Sequence, residues 1–98
     1  MNTSKDAKPK IMLVDDEENI RISLTFLLEK EGYTVKSATN GDEAVDLYQS
    51  YRPSIILLDV MMPEMDGFTA ASKIRALDTT SETSIIFLTA KGTKDDRR

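Results

Sequence analysis

The chain predicts an α/β fold built on a parallel sheet with helices on both faces, and three observations predict it. Ile11–Val14, Ile55–Leu58 and Ile85–Leu88 are unbroken apolar runs, the pattern of strands buried on both faces rather than half-exposed ones. Between them apolar residues recur at helical spacing. The resulting order is strand–helix three times over and then a strand, which demands right-handed crossovers between parallel neighbours.

Residues 1–9 are polar, aperiodic and contain a proline, and read as a flexible leader before a single domain spanning 10–98. The Ile11–Val14 run ends on Asp15 and Asp16. Ile20, Leu24, Leu27 and Leu28 then share one helical face, flanked by Ile22 and Phe26. Asp16 is placed to cap that helix, Glu17 and Glu18 suit its positive end, and Gly32 stops it. Tyr33–Ala38 alternates enough for a less buried strand. Asn40 with Glu43 resembles a capping box, opening a helix whose inner face is Ala44, Leu47, Tyr48 and Tyr51. Pro53 closes it before the Ile55 strand. That strand stops on Asp59, and Pro63 and Gly67 force a turn. Asp66 reads as the cap of a third helix, with Phe68, Ala71, Ile74 and Leu77 spaced for burial. Residues 78–84 form a polar connector, the last strand ends on Thr89, and the charged tail from Lys91 could open a further helix.

Composition narrows the function. Ninety-eight residues, 40% hydrophobic and 31% charged, suit one modest globular core. No run approaches the ~20 apolar residues of a membrane span, and no secretory signal opens the chain; this fits a cytoplasmic protein. A net charge of −4 leaves no electrostatic footprint for nucleic acid. Cysteine and histidine are both absent, which removes disulfides, thiolate and imidazole ligands, and the usual general base. Chemistry must rest on carboxylates, hydroxyls, lysines and backbone.

Three strands ending on Asp15/Asp16, Asp59 and Thr89 would, side by side, gather those groups at one edge of the sheet, where open parallel sheets bind ligands. Two carboxylates 4 Å apart repel by about 4 kcal/mol at an effective dielectric near 20. A hard divalent cation relieves that conflict, and with only oxygen ligands on offer Mg²⁺ is the natural choice. Beside such a cation Asp59 could act as a nucleophile toward phosphate, because a carboxylate needs no histidine base.

Val14-Asp15-Asp16-Glu17, Leu58-Asp59-Val60-Met61-Met62-Pro63-Glu64-Met65-Asp66-Gly67 and Leu88-Thr89-Ala90 resemble the receiver domain of two-component response regulators, from about Lys10 to the end. The Asp-x-Met-Met-Pro-x-Met-Asp-Gly block is the most specific part. The resemblance implies a flavodoxin-like sandwich with strand order 2-1-3-4 and a place in a phosphorelay. It implies Asp59 as phosphoacceptor, Asp15 and Asp16 as metal-site acids, and the Met61 backbone carbonyl as a further Mg²⁺ ligand. Thr89 is then the switch hydroxyl, and a sensor histidine kinase or phosphotransfer protein is the donor. The activity is at most autocatalytic phosphotransfer to the chain's own aspartate, not enzymatic turnover.

The family continues with another helix, a fifth strand ending in Lys-Pro and a last helix, so the chain reads as incomplete at its C-terminus. Lys91 follows Thr89 too closely to stand in for the family's lysine. The last strand would then be an apolar edge, and the missing lysine motivates the alternative of a truncated, non-phosphorylated assembly module that pairs through that edge; an output domain, or self-association through the edge, is the further partner expected. An aspartate-nucleophile phosphatase fits poorly, since Met61 stands where such enzymes carry a second acid. No glycine- and hydroxyl-rich loop for flavin phosphate follows the first strand.

Overall fold

The computed structural model describes residues 9–62, 65–80 and 82–88. Its elements are β1 (Lys10–Val14), α1 (Glu18–Lys30), β2 (Thr34–Ala38), α2 (Gly41–Tyr51), β3 (Ile55–Asp59), α3 (Gly67–Leu77) and β4 (Ser84–Leu88). The four strands are parallel in the order β2-β1-β3-β4, as predicted. The leader up to residue 8 and the segment from Thr89 to Arg98, including the possible further helix, lie outside the described residues.

Strand parity divides the core between two faces. Met12, Val14, Ile56 and Leu58 pack against Ala44, Tyr48 and Tyr51 of α2 and Ala70, Ala71 and Ile74 of α3. Ile11 and Leu13, of the opposite parity, are buried on the other face, that of α1. There the cover thins across the sheet. Leu13 is 0% exposed, its partner Leu57 is half-buried, and Ile86, paired with Leu57, is 50% exposed.

Local hydrogen bonds mark the helix ends. Gly32, at φ 100°, ends α1 in a Schellman turn, with Gly32 N–H donating to Glu29 O at 2.9 Å and Tyr33 N–H to Leu28 O at 3.1 Å. Asn40 caps α2, its side chain accepting from Glu43 N at 2.8 Å. Glu43 reaches back as a capping box requires, but to the backbone and hydroxyl of Thr39 (2.8 and 2.9 Å). Asp66 caps α3 by accepting from Thr69 N at 2.8 Å.

Several expected details are corrected. Asp16 does not cap α1: Glu17 holds that position and makes no side-chain cap bond, and Asp16, one residue earlier, has its carboxylate among the acids of the loop instead. The α1 stripe is shallower than its spacing suggests; no residue of α1 is buried, and Leu27 is 54% exposed. The buried stripe of α3 is Gly67, Ala70, Ala71 and Ile74, whose small side chains let the helix sit close to the sheet. Phe68 and Leu77 are exposed, the Phe68 ring lying tilted against Phe87 of β4 with ring centroids 4.9 Å apart. Ile86 and Phe87 are likewise exposed rather than core.

Candidate functional site

The register that pairs Val14 with Leu58 continues one step to set Asp15 level with Asp59. Both carboxylates are 2% exposed, at the carboxyl ends of the two central strands. Asp16 joins them from the exposed side of the β1–α1 loop. One carboxylate oxygen from each of Asp15, Asp16 and Asp59 lies within 4.8 Å of the others. Residues 44 positions apart in the chain thus form one acidic pocket.

The same backbone device orients both buried acids. Asp15 Oδ1 accepts from Glu17 N at 2.9 Å, and Asp59 Oδ1 accepts from Met61 N at 2.9 Å. Each carboxylate folds back on the amide two residues ahead, which suits aspartate's short side chain. The loop after β3 is held between neighbours: Val60 N–H donates to Leu88 O at 3.4 Å, and Gly67 N–H to Val60 O at 3.3 Å. Glycine is required at position 67, where a Cβ would collide with Asp59 O and lie 2.7 Å from Val60 Cα. Met62 anchors this loop in the core, while Met61 is 61% exposed, in keeping with a part played by its backbone.

The donor set fits a hard divalent cation: three carboxylates and no nitrogen or sulfur ligand in the cluster. Asp15, Asp16 and Asp59 come together as predicted. Thr89, the expected switch hydroxyl, lies outside the described residues; the strand leading to it pairs Leu88 with Asp59.

Two charged features escaped the sequence reading. Arg21 Nη1 donates to the backbone oxygen of Asp15 at 2.8 Å, tying α1 to the acidic loop. At the opposite end of the sheet, Asp78 is 6% exposed. Its Oδ2 accepts from Thr83 N (3.1 Å) and pairs with Arg75 (3.4 Å), and its Oδ1 accepts from the Thr80 hydroxyl (3.3 Å). Thr83 continues the brace to Pro53 O at 2.9 Å. Burial pushes the Asp78 carboxyl up, but the amides of Thr83 and Glu82 and the hydroxyls of Tyr48 and Thr80 outweigh it and hold it below its ordinary range. Nothing in a run of Asp, Thr, Ser and Glu marks such a residue as buried.

The model of the response regulator receiver domain family matches residues 11–98. The transcriptional regulatory protein SrrA of Staphylococcus aureus is 44% identical over 88 residues, which are 90% of this chain and 35% of that protein. The chain thus spans about a third of the length of the curated relatives it matches. Among solved structures, the N-terminal domain of a response regulator receiver protein from Methanoculleus marisnigri superposes with a TM-score of 0.80 at 31% identity, covering 86% of this chain and 68% of that one. The response regulator protein TrrA from Thermotoga maritima, solved in complex with Mg(2+)-BeF, gives 0.76 at 33% identity, covering 91% and 77%.

Proposed function

The chain belongs to the response regulator receiver domain family, and on that premise we propose that it accepts a phosphoryl group on Asp59 from a histidine kinase or phosphotransfer protein. The observation that carries this reading is the meeting of Asp15, Asp16 and Asp59 at the ends of adjacent strands. Asp59 is the nucleophile. Its carboxylate oxygen attacks the phosphorus of a phosphohistidine in line, a P–O bond forms as the P–N bond breaks, and the departing imidazole takes its proton from water. The product is an acyl phosphate on Asp59.

Asp15, Asp16, Asp59 and the Met61 carbonyl are the groups that would hold Mg²⁺. When bound, that ion neutralises the pocket and draws the phosphoryl oxygens into place. The Met61 amide on Asp59 Oδ1 fixes the carboxylate's rotation, so the nucleophile is presented without a search. The complex of TrrA with Mg(2+)-BeF supports the assignment. Thr89 is proposed as the hydroxyl that turns toward the acquired phosphate and passes the change to an output domain or partner. No described helix is long and apolar enough to cross a membrane; a cytoplasmic location is part of the proposal and follows from its kinase donor.

Incubation with acetyl phosphate and Mg²⁺ should add the mass of one phosphoryl group, and Asp59→Asn or chelation should abolish it. Uptake that persists in Asp59→Asn would refute the assignment. A second reading, an assembly module that pairs through β4, draws on the exposure of Ile86 and Phe87 at that edge. Association that is unchanged in Asp59→Asn, together with no phosphate uptake by the parent chain, would favour it.

A further inference from the structure

We propose that Arg21 is a positioning residue for the acidic pocket: it pins the peptide unit that joins Asp15 to Asp16 and so sets how the pair presents its carboxylates to a divalent cation. This rests on the proposed Mg²⁺ site and adds a residue outside its ligand set. Arg21 lies in the first turn of α1, its own amide donating to Glu17 O at 3.1 Å. From there its side chain reaches back over the loop, and Nη1 meets the Asp15 carbonyl at 2.8 Å. Two other contacts hold Asp15: its amide donates to Ala38 O at 3.2 Å, and its Oδ1 accepts from Glu17 N. Both of those use main-chain partners that any sequence would supply. Of the three, only the carbonyl contact draws on a side chain from outside the loop.

The Asp15 carbonyl belongs to the same rigid plane as the amide of Asp16. Fixing that oxygen fixes the direction in which the chain enters Asp16, the exposed member of the pocket. Glu43, at the start of α2, feels the guanidinium's charge as the smallest of the influences on its carboxyl, after the Thr39 hydrogen bonds and burial. Arg21 also lines a shallow surface pocket with Glu18, Ile22 and Ser37. Outer groups that orient ligands in this way are worth much of a site's affinity although they never touch the ion.

A second effect of Arg21 has the opposite sign, and that makes the role testable. A nearby positive charge repels a divalent cation, so on charge alone its removal should tighten binding, more so at low salt. If positioning dominates, removal must weaken binding at every ionic strength. Calorimetric titration of the full chain with Mn²⁺ at two ionic strengths separates them. In Arg21→Ala the dissociation constant is expected to rise about 10-fold. Arg21→Lys, which keeps a donor and the charge, should stay within about 3-fold of the parent. Circular dichroism should report the same helix content in all three proteins. Phosphorylation by acetyl phosphate should slow in Arg21→Ala at limiting Mg²⁺ and recover at saturating Mg²⁺. Unchanged or tighter Mn²⁺ binding in Arg21→Ala overturns the positioning role alone. Failure of the parent chain to bind Mn²⁺ overturns the metal site as well.

Discussion

Single carboxylates in this chain do different work according to what surrounds them. Asp15 and Asp59 are buried side by side and folded back on their own loops, Asp66 caps a helix from the surface, and Asp78 braces a turn from inside. Glu43 is held below the ordinary carboxylate range by the amide and hydroxyl of Thr39, and Asp66 by the amide and hydroxyl of Thr69. With Asp78, that makes three depressed carboxyls. A group depressed on folding contributes stability that is complete above its unfolded pKa, about 3.9 for Asp and 4.3 for Glu. That contribution disappears as pH falls through the lower folded value. Stability should therefore be flat in this respect from neutral to about pH 5 and drop steeply below about pH 4. Urea titrations across that range check it, and Asp78→Asn should lower stability at neutral pH while flattening the acid limb. An acid limb as steep in Asp78→Asn as in the parent would remove Asp78 from the account.

At the scale of elements, the two faces of the sheet are unequal. α2 and α3 bury four residues each against it, whereas α1 buries none. Ile74 is 0% exposed at the centre of the well-covered face, and Phe26 is 63% exposed on α1. Ile74→Ala should cost about 2–5 kcal/mol by leaving a cavity, and Phe26→Ser should change stability by less than about 0.5 kcal/mol. Denaturant midpoints at constant slope would measure both. Equal losses at the two positions would mean that the α1 face is as well covered as the other.

For the molecule as a whole, the proposed cation site would tie the stability of the fold to cation concentration. Two buried carboxylates and a third beside them repel one another, and a bound cation is favoured only in the folded state, where strand order assembles them. Mg²⁺ at about 100 times its dissociation constant should add about 2.7 kcal/mol, a rise in Tm of about 10 °C or more for a domain of this size. Asp16→Asn should abolish most of that rise, and its melting without Mg²⁺ should match or exceed the parent's because one repulsion is gone. A Tm indifferent to Mg²⁺ in the parent would count against the site.

Much of this was legible in the chain because its causes are local or periodic. Unbroken apolar runs read as strands, although the last of them is not core, their alternation with helical spacing required parallel connections, and the Asp59–Gly67 block pointed to the site. What the linear order could not show is where neighbours stop. Phe68 and Leu77 have the spacing of buried residues, yet the small residues of α3 face the sheet and these two do not. Asp78 looks like any polar connector residue, and its burial follows from Tyr48 and Thr83 closing around it. Arg21 looks like a solvated helix charge until its reach to the Asp15 carbonyl is seen. Hydrophobic period is a property of the sequence, so the order of elements was determined there. Burial and hydrogen-bond partnership depend on which segments, far apart in the chain, occupy the same space, and only the tertiary structure decides that.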